Sequence, residues 1–203
     1  YEKTWGWKTK ATVSCNSNRL MDVEFKEKIP YLEDVNINEI IKSNKTPFYL
    51  YSQKEITNTY KDLKKNLSAE IFYAVKANSN QAILRLIKNI GAGADVVSIG
   101  ELKRSLSAGF EASKIIFEGV GKSEEDIEYA IKKNIRLINV ESLCEIELID
   151  KIGKKFNKKI DIGIRINPDI DGRTIDKIST GKKTDKFGIE IEKKDIIISK
   201  IKS

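Results

Sequence analysis

Lys76 has the sequence setting of a lysine that reacts with an aldehyde. It follows the apolar run Phe72 to Val75 and precedes Ala77 and Asn78, whereas most other lysines lie in polar helical or loop sequence. It is expected at the carboxyl end of a strand, the edge that faces the active site in a barrel. A lysine held there is partly desolvated, which lowers its pKa and favours the neutral amine that forms a Schiff base. A lysine reaching into solvent from the rim remains the alternative.

Three more charged residues lie near predicted strand ends. Asp95 opens the second predicted strand, near the bottom or the inside of the sheet, and a buried carboxylate there needs a partner. Arg165 lies near the end of the fifth strand between two isoleucines, and Asp95 is an available partner for it. Glu101 starts a helix and can interact with the helix dipole. A purely structural role stays open for Asp95 and Glu101.

The composition excludes several classes of site. Histidine is absent, so a Ser-His-Asp triad, a histidine base and the common histidine-containing zinc sites are excluded within this chain. The two cysteines, Cys15 and Cys144, make neither a disulfide framework nor a metal site. The net charge of +7 comes from lysines mixed with acidic residues along the whole chain, which is typical of solvated helix faces. We therefore expect no metal and no nucleic-acid partner.

The 203 residues show neither a membrane-spanning run nor a signal peptide, so we expect no membrane association and a cytoplasmic location. The chain begins with Tyr1, and its only methionine is Met21. Residues 1–20 have no periodicity and are expected to be a non-native or disordered leader. Residues 21–45 are expected to form an N-terminal segment with one strand and one helix, and residues 46–203 a truncated barrel domain.

The rest of the chain alternates short apolar strands with amphipathic helices, which indicates βαβ units and a parallel sheet. The predicted strands are Ile71 to Val75, Asp95 to Ser98, Ile115 to Val120, Leu137 to Val140 and Ile160 to Ile166. A long polar stretch from Asn167 to Gly188 follows, and its length favours a functional loop.

Two architectures fit this pattern, an open doubly wound sheet and a (β/α)8 barrel. The first strand lacks the glycine fingerprint of a dinucleotide fold, and Gly91 to Ala94 ends a helix and forms a turn rather than a phosphate-binding loop. Five repeats cannot close a barrel. The prediction is therefore an incomplete (β/α)8 TIM barrel of the α/β class, with the first five βα units preceded by an N-terminal strand and helix.

Several motifs together resemble the pyridoxal-phosphate decarboxylases of the alanine-racemase-like fold, known as fold type III. Tyr73 to Asn78 resembles their lysine motif, and Gly93 to Leu102 resembles their second strand and helix. Further stretches narrow the resemblance to the diaminopimelate decarboxylases. These stretches are Gly119 to Lys122, Asn139 to Ser142, Arg165 to Pro168, Ile178 to Gly181 and Lys186 to Ile189.

The resemblance implies pyridoxal 5'-phosphate as the cofactor and Lys76 as the residue that holds it covalently. It also implies that Asp95, Arg165, Ala74 and Glu101 belong to the cofactor site, and that the loop through Ser179 helps to close over the substrate. The implied reaction is decarboxylation of meso-2,6-diaminopimelate to L-lysine and carbon dioxide, the last step of lysine biosynthesis, in a homodimer with shared active sites.

The chain also departs from this family. A histidine common before the Ile-Ser-Thr-Gly step is absent, since Thr174 to Lys177 stands there. The glycine-rich phosphate loop, the acid that pairs with the ring nitrogen and the partner-subunit cysteine site are not found up to Ser203. The isolated chain is therefore expected to be inactive. An arginine, ornithine or carboxynorspermidine decarboxylase of the same fold, and a non-catalytic regulatory or binding relative, remain alternatives.

Overall fold

The computed structural model of the chain describes residues 23–170 and 187–202. The described residues form two compact units, and the division between them lies between Leu63 and Lys64. The expected leader, residues 1–20, lies outside the described residues, as does most of the long polar loop, including Ser179.

The first unit contains a small antiparallel sheet and a short helix. Its strands, paired in the order β1-β2-β3, are β1 (Val23–Lys26), β2 (Ile29–Leu32) and β3 (Val35–Asn36). The sequence predicts one strand here, so that count is wrong. The β1–β2 turn is made by Glu27 and Lys28 with φ of 51° and 68°, a left-handed conformation that Asn and Gly usually signal.

Two helices follow, α1 (Ile37–Ser43) and α2 (Gln53–Asn66). The Asn36 side chain caps α1 by accepting from the backbone N–H of Asn38 at 2.9 Å. Ser52 caps α2 in the same way, since its Oγ accepts from the Glu55 N–H at 2.9 Å. Helix α2 carries the chain into the second unit.

The second unit is built on a five-stranded parallel sheet with a helix after each of the first four strands. The strands are β4 (Phe72–Ala74), β5 (Gly93–Val96), β6 (Ile115–Phe117), β7 (Leu137–Val140) and β8 (Ile162–Ile164). The helices are α3 (Gln81–Asn89), α4 (Ile99–Ser107), α5 (Glu124–Lys133) and α6 (Leu143–Phe156).

The strand order distinguishes the two predicted architectures. The strands pair as β4-β5-β6-β7-β8, so each strand lies beside its neighbours in sequence. A doubly wound sheet reverses direction at a switch point, whereas a barrel adds its strands in one direction. The predicted incomplete barrel is confirmed.

An apolar core fills the space between this sheet and its helices. The three central strands, β5, β6 and β7, contribute side chains that are almost fully buried, among them Val96, Phe117 and Val140. Leu84, Leu102 and Ile127 from the helices are fully buried against them. Burial of this kind fixes where each strand ends, and the strand ends carry the polar residues described below.

Glycines and a side-chain cap mark three of the helix ends. Gly91 and Gly109 end α3 and α4 with φ of 98° and 94°, values that a residue with a side chain rarely adopts. Ser123 and Asp126 form a reciprocal capping box at the start of α5.

Beyond β8, the chain forms a two-stranded parallel sheet and a final helix. Strand β9 (Ile166–Asn167) pairs with β10 (Ile189–Glu190), and α7 (Lys194–Lys202) follows. Within the described residues, every helix is too short or too polar to span a bilayer.

Candidate active site

A cavity of about 600 Å³ opens at the carboxyl edge of the five-stranded sheet. Its lining residues come from the ends of all five strands and from the segment just before β10. They are Lys76, Asp95, Val97, Glu118, Gly119, Val120, Asn139, Ile164, Arg165 and Phe187. The sheet thus brings together three of the residues singled out in the sequence, Lys76, Asp95 and Arg165.

Lys76 lies in a short 3-10 turn, Val75–Ala77, directly after β4. The buried Val75 anchors this turn in the core, while the side chain of Lys76 lines the cavity. Lys76 is nevertheless exposed, so the expected desolvation of its amine is not seen in the described residues. The reason is its position next to β4, the edge strand of the sheet, because the protein lies on one side of an edge strand only.

Asp95 is half-buried and lines the same cavity as Lys76. It is the third residue of β5 rather than its first, so it lies towards the carboxyl end of the strand and not at the bottom of the sheet as predicted. The strand begins at Gly93, which pairs with Phe72 of β4, and a Cβ at Gly93 would lie 2.4 Å from the Phe72 ring.

The carboxylate of Asp95 is held in an unusual electrostatic state. Burial raises its pKa from 3.8 to about 6, with further increases from the negative charges of Glu118 and Glu101 and an opposing decrease from the cation of Lys76. Its buried Oδ1 has no hydrogen-bond partner within the described residues. An unsatisfied buried acid beside an amine is a feature of functional sites rather than of a stable core.

Arg165 follows β8 and pairs with a carboxylate that the sequence analysis did not consider. Its Nη1 donates to Glu141 Oε1 at 3.2 Å, and its guanidinium carbon lies 4.7 Å from the centre of the Phe187 ring. Within the described residues the carboxylate that Arg165 contacts is thus Glu141 and not Asp95, the partner that the sequence offered. Glu141 follows β7, the neighbour of β8, whereas Asp95 lies in β5, three strands away.

Ala74 and Glu101 stand behind the cavity rather than in its wall. Ala74 pairs with Asp95 in the sheet register, so it sets the position of that acid. Glu101 accepts a hydrogen bond from the Val97 N–H at 2.9 Å while its own N–H donates to Ser98 Oγ at 3.2 Å. Ser98 thus caps α4, and Glu101 in the first turn contributes negative charge towards Asp95.

Three polar residues of this region escaped the sequence analysis as candidates, namely Glu118, Asn139 and Glu141. Asn139 Nδ2 donates to Glu118 Oε1, which joins the ends of β7 and β6 inside the cavity wall. Glu118 follows β6 and Glu141 follows β7 directly, so the strand-end criterion applied to Lys76 could have found both. The predicted loop contacts from Ile178 to Gly181 lie outside the described residues.

An amine, an acid and a guanidinium in one cavity can bind a molecule that has an aldehyde and several anionic groups. A family comparison agrees with that chemistry. Residues 53–203 match the family model described as pyridoxal-dependent decarboxylase, pyridoxal binding domain. The chain belongs to the pyridoxal-dependent decarboxylases. Its predicted cofactor class and fold-type III membership are thereby confirmed.

Among individual pyridoxal-dependent decarboxylases, the similarity is to diaminopimelate decarboxylases. The Helicobacter pylori enzyme (strain J99) is 49% identical over 158 residues, which are 76% of this chain and 39% of that protein. The crystal structure of the H. pylori enzyme complexed with L-lysine has a TM-score of 0.76 and 44% identity, covering 80% of this chain and 42% of that one.

A third pyridoxal-dependent decarboxylase, the diaminopimelate decarboxylase from M. jannaschii in co-complex with L-lysine, has a TM-score of 0.75 and 35% identity. It matches 90% of this chain and 44% of its own. This chain thus spans about two fifths of the length of the relatives that it matches.

The cavity residues fit pyridoxal phosphate. The aldehyde of this cofactor reacts with an amine, and the Lys76 side chain carries an amine in the cavity wall. The buried Asp95 Oδ1 is free to accept a hydrogen bond within the described residues, and the Arg165 guanidinium can pair with an anionic group. Each of these groups therefore has a counterpart on the cofactor or on an amino-acid substrate.

Proposed function

We propose that the enzyme containing this chain decarboxylates meso-2,6-diaminopimelate to L-lysine and carbon dioxide, with Lys76 as the residue that binds pyridoxal phosphate. The observation that carries the proposal is the placement of Lys76, Asp95 and Arg165 in one cavity at the carboxyl edge of the sheet. Relatives of up to 49% identity that are named diaminopimelate decarboxylases support the choice of substrate.

When bound, the pyridoxal group supplies the electron sink that lets an amino acid lose its carboxylate. In this chain, Lys76 Nζ would hold that group covalently, and Asp95 would be its charged neighbour. The Lys76 cation lowers the pKa of Asp95, so the carboxylate holds its proton more tightly once that cation is lost. Asp95 can thus store or return a proton at Oδ1 as the charge on Lys76 changes.

Arg165 is proposed to contribute the positive charge at the opposite side of the cavity. A guanidinium matches the planar geometry of carboxylates and phosphates better than an ammonium does. The guanidinium lies over the ring of Phe187, a cation–π contact that stabilises the cation at this place. We propose that Ala74 and Glu101 act through Asp95. Ala74 pairs with Asp95 across the two strands and so positions it, and the charge of Glu101 raises its pKa.

The proposal extends to the assembly and its location. The resemblance to fold-type III enzymes implies a homodimer with shared active sites, and we propose that the protein lies in the cytoplasm. Light scattering and cell fractionation of the enzyme containing this chain test these two parts separately.

Borohydride reduction followed by peptide mapping tests the role of Lys76 directly. We expect a stable pyridoxyl group on Lys76, none in Lys76→Ala, and normal labelling in Lys88→Ala, which removes an exposed lysine of α3. A pyridoxyl group on any other residue of the wild-type protein would reject the assignment.

The substrate is tested by measuring carbon dioxide release. We expect release from meso-diaminopimelate and little from ornithine, arginine or carboxynorspermidine. Preferential release from one of those three would support the corresponding decarboxylase of the same fold instead. A protein that binds the cofactor but releases carbon dioxide from none of them would support a non-catalytic relative.

A further inference from the structure

Glu141 is a buried carboxylate whose two oxygens join separate parts of the cavity wall. Its side chain is only 3% exposed, and Oε1 accepts from Arg165 Nη1 at 3.2 Å. Its Oε2 accepts from the backbone N–H of Gly188 at 2.9 Å. Both oxygens thus bind residues at the candidate site, because Arg165 lines the cavity and Gly188 follows Phe187, which also lines it.

A second buried ion pair fixes the backbone of Glu141. Glu145 Oε2 accepts from the Glu141 N–H at 2.7 Å, and Glu145 Oε1 lies 3.4 Å from Lys122 Nζ. Lys122 in turn donates to the carbonyl groups of Gly119 at 2.5 Å and Asn139 at 2.7 Å. The network therefore connects the ends of β6, β7 and β8 with the segment before β10.

The charges of this network balance. It contains two carboxylates, Glu141 and Glu145, and two cations, Lys122 and Arg165. Burying such groups costs free energy that a pair of apolar side chains avoids, so a buried ionic network is a poor device for stability alone. Its directional hydrogen bonds instead fix orientation, which is what a precise binding site needs.

We propose that Glu141 is a positioning residue for the cofactor site, acting through the Arg165 guanidinium and through the Phe187–Gly188 segment. The inference rests on the proposed function for what the cavity binds. Glu141 itself does not line the cavity, so it orients the residues that touch the ligand rather than touching it.

The first test compares Glu141→Gln with the wild type in the complete enzyme. Gln keeps the shape but replaces one oxygen with an NH2 donor, so either Arg165 Nη1 or the Gly188 N–H loses its acceptor. Hydrogen exchange of the cofactor-free enzyme should show faster exchange of the Gly188 amide. Titration with pyridoxal phosphate should show a dissociation constant raised roughly tenfold or more, the factor for one hydrogen bond to a charged group.

A double-mutant cycle separates positioning from general destabilisation. Because Glu141 is proposed to act through Arg165 and through the Phe187–Gly188 segment, Glu141→Gln should raise the dissociation constant less in the Arg165→Met background than in the wild type. Glu124→Gln removes a charge from an exposed pair with Lys151 and is the matched control, with wild-type exchange and affinity. If Glu141→Gln does not fold, Glu141→Asp, which keeps the charge but shortens the reach, takes its place in the cycle.

Unchanged exchange at Gly188 together with unchanged cofactor affinity would overturn the proposal. Faster exchange with unchanged affinity would overturn it as well, because Glu141 would then hold the segment without positioning the site. A wild-type enzyme that binds no pyridoxal phosphate would instead refute the proposed function, while the exchange measurement on Gly188 would still report on the Glu141 contact.

Discussion

Asn139 occupies the space that a side chain on Gly163 would need. The two residues pair across β7 and β8, and a Cβ on Gly163 would lie 1.8 Å from Asn139 Oδ1. The same Asn139 side chain donates to Glu118 in the cavity wall. Gly163 is therefore required for a polar contact between two cavity residues rather than for an unusual backbone conformation.

Gly163→Ala should displace Asn139 and break its hydrogen bond to Glu118. Because both residues line the cavity, we expect the affinity for pyridoxal phosphate to fall by roughly tenfold, with a loss of stability of about 1 to 3 kcal/mol from the overpacked sheet. Absorbance titration of the cofactor-free enzyme and thermal melting measure the two effects.

Two further variants identify the cause of that loss. Gly100→Ala is a matched control in α4, where a Cβ would meet only Ser98 Oγ at 3.7 Å, and it should leave both quantities near those of the wild type. Asn139→Ala combined with Gly163→Ala removes the clashing side chain and should recover most of the lost stability. A double variant no more stable than Gly163→Ala would show that the clash lies elsewhere.

Sequence reasoning located Lys76 because its signal is local. An apolar strand followed at once by a polar turn gives both the strand end and the edge of the sheet on which the side chain lies. The partner of Arg165 could not be found in this way. Which carboxylate reaches it depends on which strands are neighbours, and that is a property of the assembled sheet.

The start of β5 could not be predicted from local sequence for a different reason. Asp95 looks like the first residue of its strand because Gly93 and Ala94 have low strand propensity. The strand nevertheless begins at Gly93, which pairs with Phe72 of β4 at a place where the Phe72 ring leaves no room for a side chain. Tertiary packing thus overrides local propensity and places Asp95 nearer to the cavity than predicted.

The raised pKa of Asp95 predicts a stability change with a defined sign. The folded protein holds this proton more tightly than the unfolded chain, because burial and the negative Glu118 penalise the charge. The carboxylate therefore costs stability above about pH 6, and this cost disappears as the pH falls through 6 towards 3.8. Asp95→Asn should raise the Tm of the cofactor-free enzyme at pH 7.5 and change it little near pH 4.

Asp150→Asn is the control for that comparison. Asp150 is exposed in an i,i+4 pair with Lys154, and such pairs contribute little to stability. We expect small Tm changes at both pH values for this variant. Equal Tm values of Asp95→Asn and wild type at pH 7.5 would contradict the raised pKa of Asp95.

Ser123→Ala should destabilise the start of α5. The Ser123 Oγ accepts from the Asp126 N–H at 3.1 Å, and Asp126 Oδ2 accepts from the Ser123 N–H at 3.1 Å. Losing this cap costs about 1 kcal/mol in comparable helices. Urea unfolding measures the change, with Ser68→Ala at an exposed bend after α2 as the control. A loss no larger than that of the control would mean that the capping box does not stabilise α5.

Lys122→Met should lower the free energy of unfolding more than the exposed control variants Asp150→Asn and Ser68→Ala do. The Lys122 side chain is 2% exposed and its partner Glu145 is 10% exposed, so removing the cation leaves a buried carboxylate without its counter-charge. Breaking a buried pair in this way costs about 3 to 5 kcal/mol, whereas replacing both members by uncharged residues is often close to neutral. Lys122→Met combined with Glu145→Gln should therefore recover much of the stability lost by Lys122→Met alone.

The hydrogen bonds from Lys122 to the Gly119 and Asn139 carbonyls remain lost in the double variant, so its recovery should be incomplete. Chemical unfolding of the two single variants and the double variant gives the coupling energy, and purely additive losses would show that the two charges do not stabilise each other.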